Sequence, residues 1–158
     1  MLTRRTALAL AVAGLAFGLS CSRSASVPES SAASAPPADP KVETMLRGFA
    51  AAIVARDYAT AHSAVATDVR GTLPLAELQE TIGHYRDGLP DDLETEVSVE
   101  PYDREGASIV PDALRDRITA EGAVHFKPKD DEQEGFSIIV WVMSEAGEPR
   151  LAHFFVGD

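Results

Sequence analysis

Between Val42 and Val54 the apolar residues Val42, Met45, Leu46, Phe49, Ile53 and Val54 recur at three-and-four spacing, which predicts one amphipathic helix. Asp39 stands where it can cap that helix, and Pro40 takes the first position, where a missing N–H costs nothing. Arg56-Asp57 interrupts the stripe. A second, shorter helix is predicted from Tyr58 to Ala66, with Ala61, His62 and Val65 on one side. Asp68-Val69-Arg70-Gly71 is a break. Thr72 and Pro74 open a third helix with Leu75, Leu78, Ile82 and Tyr85 on its buried face, and Gly88-Leu89-Pro90 ends it.

The period then shortens to two. Leu93, Thr95, Val97 and Val99 alternate with Glu94, Glu96, Ser98 and Glu100, the pattern of a half-buried strand that Pro101 ends. A second strand is predicted from Ile118 to Phe126, with a bulge or bend at Gly122. A third runs from Phe136 to Met143. Glu145-Ala146-Gly147-Glu148-Pro149 turns the chain into a fourth, from Arg150 to Val156. Helices first and antiparallel strands later define an α+β domain, with three N-terminal helices packed on one face of a curved, mostly antiparallel four-stranded sheet. Phe136–Met143 is apolar on both faces, although a sheet covered by helices on one side needs only one. Curling, a loop or a second subunit must cover Ile139, Trp141 and Met143. These three are the sheet-face interaction candidates, and a homodimer through the sheet is one way to bury them.

The first twenty residues obey neither period. Arg4 and Arg5 precede an uncharged run from Thr6 to Ser20 that is apolar all round and too short to span a bilayer, which describes a signal peptide. Phe17-Gly18-Leu19-Ser20-Cys21 closes that run and resembles the lipobox of bacterial lipoproteins, although Gly18 stands where Leu is commonest. The resemblance implies that Cys21 is acylated and becomes the mature N-terminus. Cys21 is also the only cysteine in 158 residues, so no internal disulfide can form. Ser22 after the cysteine implies sorting to the outer membrane on its periplasmic side, the alternative being a soluble periplasmic product. The general secretion route is expected, although Thr3 to Leu8 brushes the twin-arginine pattern. From Cys21 to residue 39 the chain is mostly Ser, Ala and Pro, a tether that cannot offset its ordering entropy and spans about 25 Å on average. Residues 40–158 are left for a single globular domain.

Charge narrows the partners. The formal net charge is −11, and removal of Arg4 and Arg5 with the leader deepens it to −13. Such a surface argues against nucleic acid and admits a basic protein partner. The membrane is then a partner only through the lipid anchor on Cys21.

The layout of residues 41–157 resembles the nuclear transport factor two-like superfamily. The matching pieces are the first-helix stripe, the Arg56-Asp57-Tyr58-Ala59-Thr60-Ala61 link and the closing hairpin with Trp141 and Leu151. The resemblance implies a cone-shaped cavity and dimerisation through the sheet, in members that are either enzymes or binding modules. Its enzymes place an acid on an inward strand position, and the inward candidates here, from Leu93 to Phe126, include none.

The motifs of catalysis are missing: no phosphate loop, no His-Glu-x-x-His, no paired Cys, and Gly106-Ala107-Ser108-Ile109-Val110 lacks the last Gly of a nucleophile elbow. Asp130-Asp131-Glu132-Gln133-Glu134-Gly135 starts like a calcium loop, but its closing position is Trp141, so neither metal nor cofactor is expected. The remaining pocket candidates are Tyr58, His62, Tyr85 and His153. Two functions follow: a membrane-tethered, non-catalytic module whose acidic domain binds a small ligand or a protein partner, or a small isomerase, dehydratase or hydrolase with a His/Tyr pocket. The anchor can be tested directly. In a bacterial host fed labelled palmitate the full chain takes up label, and Cys21→Ser abolishes uptake; a labelled C21S chain would remove the anchor.

Overall fold

The computed structural model describes residues 39–104, 109–129 and 134–157. The signal peptide, Cys21 and the tether as far as residue 38 lie outside the described residues, as do residues 105–108 of the elbow-like motif and 130–133 of the acidic run. The elements follow as α1 (Pro40–Val54), α2 (Tyr58–Ser63), α3 (Leu75–Arg86), β1 (Leu93–Pro101), α4 (Asp112–Arg115), β2 (Ile118–Pro128), β3 (Phe136–Glu145) and β4 (Glu148–Gly157). The class is α+β, with one four-stranded antiparallel sheet in the order β1-β2-β3-β4.

Helix α1 begins as its sequence dictates. The Asp39 carboxylate accepts the Lys41 N–H at 2.9 Å, and Pro40 occupies the first turn. Its apolar stripe is buried at Val42, Leu46, Phe49, Ala52 and Ile53. The helix ends in a Schellman motif: Asp57 N–H reaches the Ala52 carbonyl at 2.9 Å, and Arg56 N–H reaches that of Ile53 at 3.0 Å. That motif needs a left-handed residue, and Arg56 supplies it at φ 55° where glycine is the usual choice. The Arg56 side chain accounts for the exchange, because its guanidinium pairs with Asp91 and lies 3.9 Å from Asp87.

Helix α2 is shorter than its apolar pattern predicts. It stops at Ser63 because the next residues make a sheet contact instead: Leu151 N–H donates to the Ala64 carbonyl and Ala66 N–H to that of Leu151, both at 2.9 Å. Leu75 also departs from expectation, being 37% exposed at the first position of α3, where Leu73, just ahead of the helix, is buried in its stead. The four-residue α4 was too short to leave a periodic signal.

Gly122 is corrected as well. The irregularity in β2 lies between Ile118 and Ala120, where the pairing with β3 shifts, and β4 carries a second one between Leu151 and His153. Gly122 faces α1 instead. A Cβ there would sit 2.3 Å from Leu46 Cδ1, so the missing side chain lets α1 lie close on the sheet. The inner face carries Val124, Phe126, Phe136, Ile138, Val140 and Phe154 against the α1 stripe. Phe126 and Phe136 stack at 4.6 Å, and Tyr85 of α3 extends the stack at 5.9 Å. The Glu145–Glu148 hairpin turns on two left-handed residues, Ala146 and Gly147.

Among the described residues one charged side chain is buried completely. Arg86, the last residue of α3, is 0% exposed and donates to the Leu89 carbonyl at 2.9 Å and to the Val54 carbonyl at 3.1 Å. Its Nη2 lies 3.6 Å from Asp91. Burial pulls its pKa below the ordinary guanidinium value and the Arg56 charge adds to that, with Asp91 opposing. Arg86→Met leaves two part-buried carbonyls without this donor and is expected to cost about 2–4 kcal/mol in urea unfolding. A loss below about 0.5 kcal/mol would mean that water replaces both bonds.

Candidate functional site

Leu73, Glu77, Thr81 and Tyr85 repeat at four-residue steps and form one ridge along the start and length of α3. Opposite them, His153, Phe154, Phe155 and Val156 form the last half of β4. The two sides enclose a cleft of about 210 Å³ along the outer flank of the sheet. It brings together two of the four pocket candidates, Tyr85 and His153.

His153 is held from the other side as well. Its ring stacks on Trp141 at 5.7 Å with 25° between planes, and the Trp141 indole N–H donates to Glu121 at 2.9 Å. Burial pushes the His153 pKa below its ordinary value, and Glu77 opposes the shift from across the cleft. That shift favours the neutral imidazole, and among the described residues its two nitrogens have no hydrogen-bond partner. Neutral imidazole offers one donor and one acceptor to whatever occupies the cleft.

The other two candidates lie elsewhere. His62 Nε2 is 2.9 Å from the Leu73 carbonyl, a bond that ties α2 to the start of α3. Tyr58 rests its hydroxyl against Gly83 of α3, buried and without a hydrogen-bond partner. Its pKa is raised, by burial first and then by Asp87. Of the sheet-face candidates, Trp141 and Met143 are each only 3% exposed and Ile139 is half-buried. The exposed apolar side chain on that face is Phe155, at 43%. Sequence alone does not single out Phe155, because it lies in a strand so apolar that no one residue stands out.

The outer face of β1 and β2 is polar. Glu94 pairs across the ladder with Lys127, Glu96 with His125, and Glu100 with Glu121. A shallow concavity of about 210 Å³ lies over Ser98, Ala123 and Ile139 between Glu100, Glu121 and His125. A wider groove of about 410 Å³ lies where α1 meets the hairpin turn, beside the Lys41–Glu148 ion pair at 2.9 Å. Among the described residues no group of three or more His, Cys, Asp or Glu side chains is placed to hold a metal ion. Nor is any described helix long and apolar enough to cross a membrane.

No family model, no curated protein and no solved structure matches the chain.

The His153 shift has a measurable consequence. A histidine whose folded pKa lies below 6.5 contributes stability that is present above 6.5 and lost as the pH falls through the folded value. Urea unfolding midpoints should therefore fall between about pH 7.5 and pH 5, and His153→Gln should flatten that fall. Asp57 and Asp91 do not blur the window. Their pKa values lie below 3.8, held down by bonds from Thr60 and Arg56 respectively, so their contributions are lost only at lower pH. An unchanged slope in H153Q would place the imidazole in water.

Proposed function

We propose that this protein is an envelope lipoprotein, anchored through Cys21 and residues 22–39, whose α+β domain is a non-catalytic binding module. The observation that supports it best is the cleft between α3 and β4. It combines apolar walls (Leu73, Phe154, Val156), an exposed aromatic at its lip (Phe155) and a neutral, unpartnered imidazole (His153). Apolar surface with a few polar groups is the make-up of a recognition site. Acid–base chemistry would instead want a second polar group hydrogen-bonded to the imidazole.

The helix-first order and the closing hairpin with Trp141 and Leu151 support the reading of a nuclear transport factor two-like cone. The side chains of Leu46, Phe49, Ile53, Val124, Ile138 and Val140 occupy the space between α1 and the sheet, which favours an outer site over an inner one. The enzyme reading has one observation in its favour, the meeting of His153 and Tyr85 with Glu77 in a single cleft. A dimer through the outer sheet face would rest on Ile139 and Phe155, since Trp141 and Met143 are covered within the chain. The acidic surface favours a basic protein partner over the membrane face itself.

The test is photo-crosslinking in intact cells. A benzophenone side chain at position 155 of the full chain should give a discrete adduct of higher mass, and the same group at position 94, on the opposite edge of the sheet, should not. Adducts from neither position, or equally from both, would overturn the assignment of the cleft.

A further inference from the structure

The two edges of the sheet are built differently. An edge strand presents unpaired N–H and C=O groups, and proteins guard such edges with charge, proline or cover. Strand β1 is guarded by Glu94, Glu96 and Glu100, and Pro101 ends it. Strand β4 carries no Asp, Glu, Lys or Arg from Leu151 to Gly157, and burial favours the neutral form of its histidine. Its cover is partial. Among the described residues the one segment paired to its outer flank is 64–66, through the two bonds to Leu151.

Beyond Leu151 the strand passes the bulge at Ala152 and continues for five paired residues, from His153 to Gly157, with β3 on one side only. Antiparallel pairing turns alternate residues of that stretch outward, N–H and C=O together. The cleft lies along this flank with the α3 ridge as its far wall. A chain laid there would alternate its side chains between the ridge and the outer face, where Phe155 and Ile139 stand.

We infer that the flank of β4 from Ala152 to Gly157 accepts an extended, basic peptide segment of a partner protein as a fifth strand, seated in the cleft against α3. This rests on the reading of the protein as a binding module and names its ligand class. Backbone pairing supplies the affinity, and the walls supply the selection. The charge preference comes from Glu77, the carboxylate lining the cleft, within a chain of net charge −11. The same charge disfavours a second copy in this place, because each copy would set its own Glu77 and α3 ridge against the other's.

The probe is a peptide of about seven residues alternating Val and Lys, titrated to about 1 mM into the full chain in detergent micelles and followed by backbone amide NMR. Shifts are expected at Ala152–Gly157 and on the α3 ridge. Two controls define strand addition. N-methylation of alternate peptide amides removes the pairing bonds while keeping the side chains, and should weaken binding about tenfold or more. Replacing Lys by Glu in the peptide should weaken it similarly. Phe155→Lys, at an exposed position, should weaken it as well, with an unchanged urea midpoint showing that the fold is intact. Equal binding of the N-methylated peptide, shifts on β1 instead of β4, or no binding by any peptide would each overturn the fifth strand. So would a dimer in sedimentation velocity without peptide that Phe155→Lys disperses, since a second copy would then fill the cleft. An adduct from position 155 in cells survives any of these results, so the failure of strand addition is distinguishable from the failure of the binding module.

Discussion

The Arg86 guanidinium holds together three parts of the chain that no strand ladder connects. Its two backbone bonds join the end of α1, at the Val54 carbonyl, to the link between α3 and β1, at the Leu89 carbonyl. A cation at the carboxyl end of α1 is favoured by the helix dipole as well as by the hydrogen bond. Its burial is offset at the two terminal nitrogens, where these acceptors and Asp91 replace lost water, while Nε is left without a partner. Arg56 works on the same corner from the surface, gripping Asp91 beside Arg86 from a backbone conformation that arginine seldom adopts. With that corner fixed, α3 cannot slide along the sheet. Its ridge from Leu73 to Tyr85 then stands at a set distance from β4, and the width of the cleft follows.

The elements were legible in the sequence wherever one face had to be buried. The stripe from Val42 to Val54 and the alternation from Leu93 to Val99 could each be placed in only one way. Legibility failed where a long-range contact overrode a local pattern. Residues 64–66 continue the apolar spacing of α2, yet they leave the helix because the flank of Leu151 offers them two backbone bonds. Gly122 could be read as a bend, and only the approach of Leu46 shows that its missing Cβ serves a crossing helix. The role of Arg86 left no trace at all. A basic residue in the last turn of a helix is common, and nothing in its neighbours announces that it is buried.

The site was legible by half, for a related reason. Tyr85 and His153 were singled out as residue types, but 68 positions separate them, and what joins them is the course of α3 past β4. Tyr58 and His62 were equally good candidates by type. Local contacts consume both: His62 ties α2 to the chain ahead of α3, and Tyr58 spends its ring on Gly83. Residue type nominates a site, and topology selects among the nominees.

The acidic charge is not spread evenly over this fold, and its placement separates two tasks. Glu94, Glu96 and Glu100 lie along β1, where they keep an edge from pairing. Two of them face a cation or a histidine across the ladder. Glu100 faces Glu121, a like pair that would repel, but the Trp141 indole N–H takes up one Glu121 oxygen and turns that carboxylate into support for the stack under His153. The sequence of contacts therefore runs from the guarded side of the sheet to the open one, from Glu121 through Trp141 to His153 at the lip of the cleft. A protein that needed its acids only for solubility would have no reason to leave β4 bare from Leu151 to Gly157. The bare flank lies beside a cleft wall that carries Glu77, and there repulsion of like chains and attraction of a basic one act on the same strand.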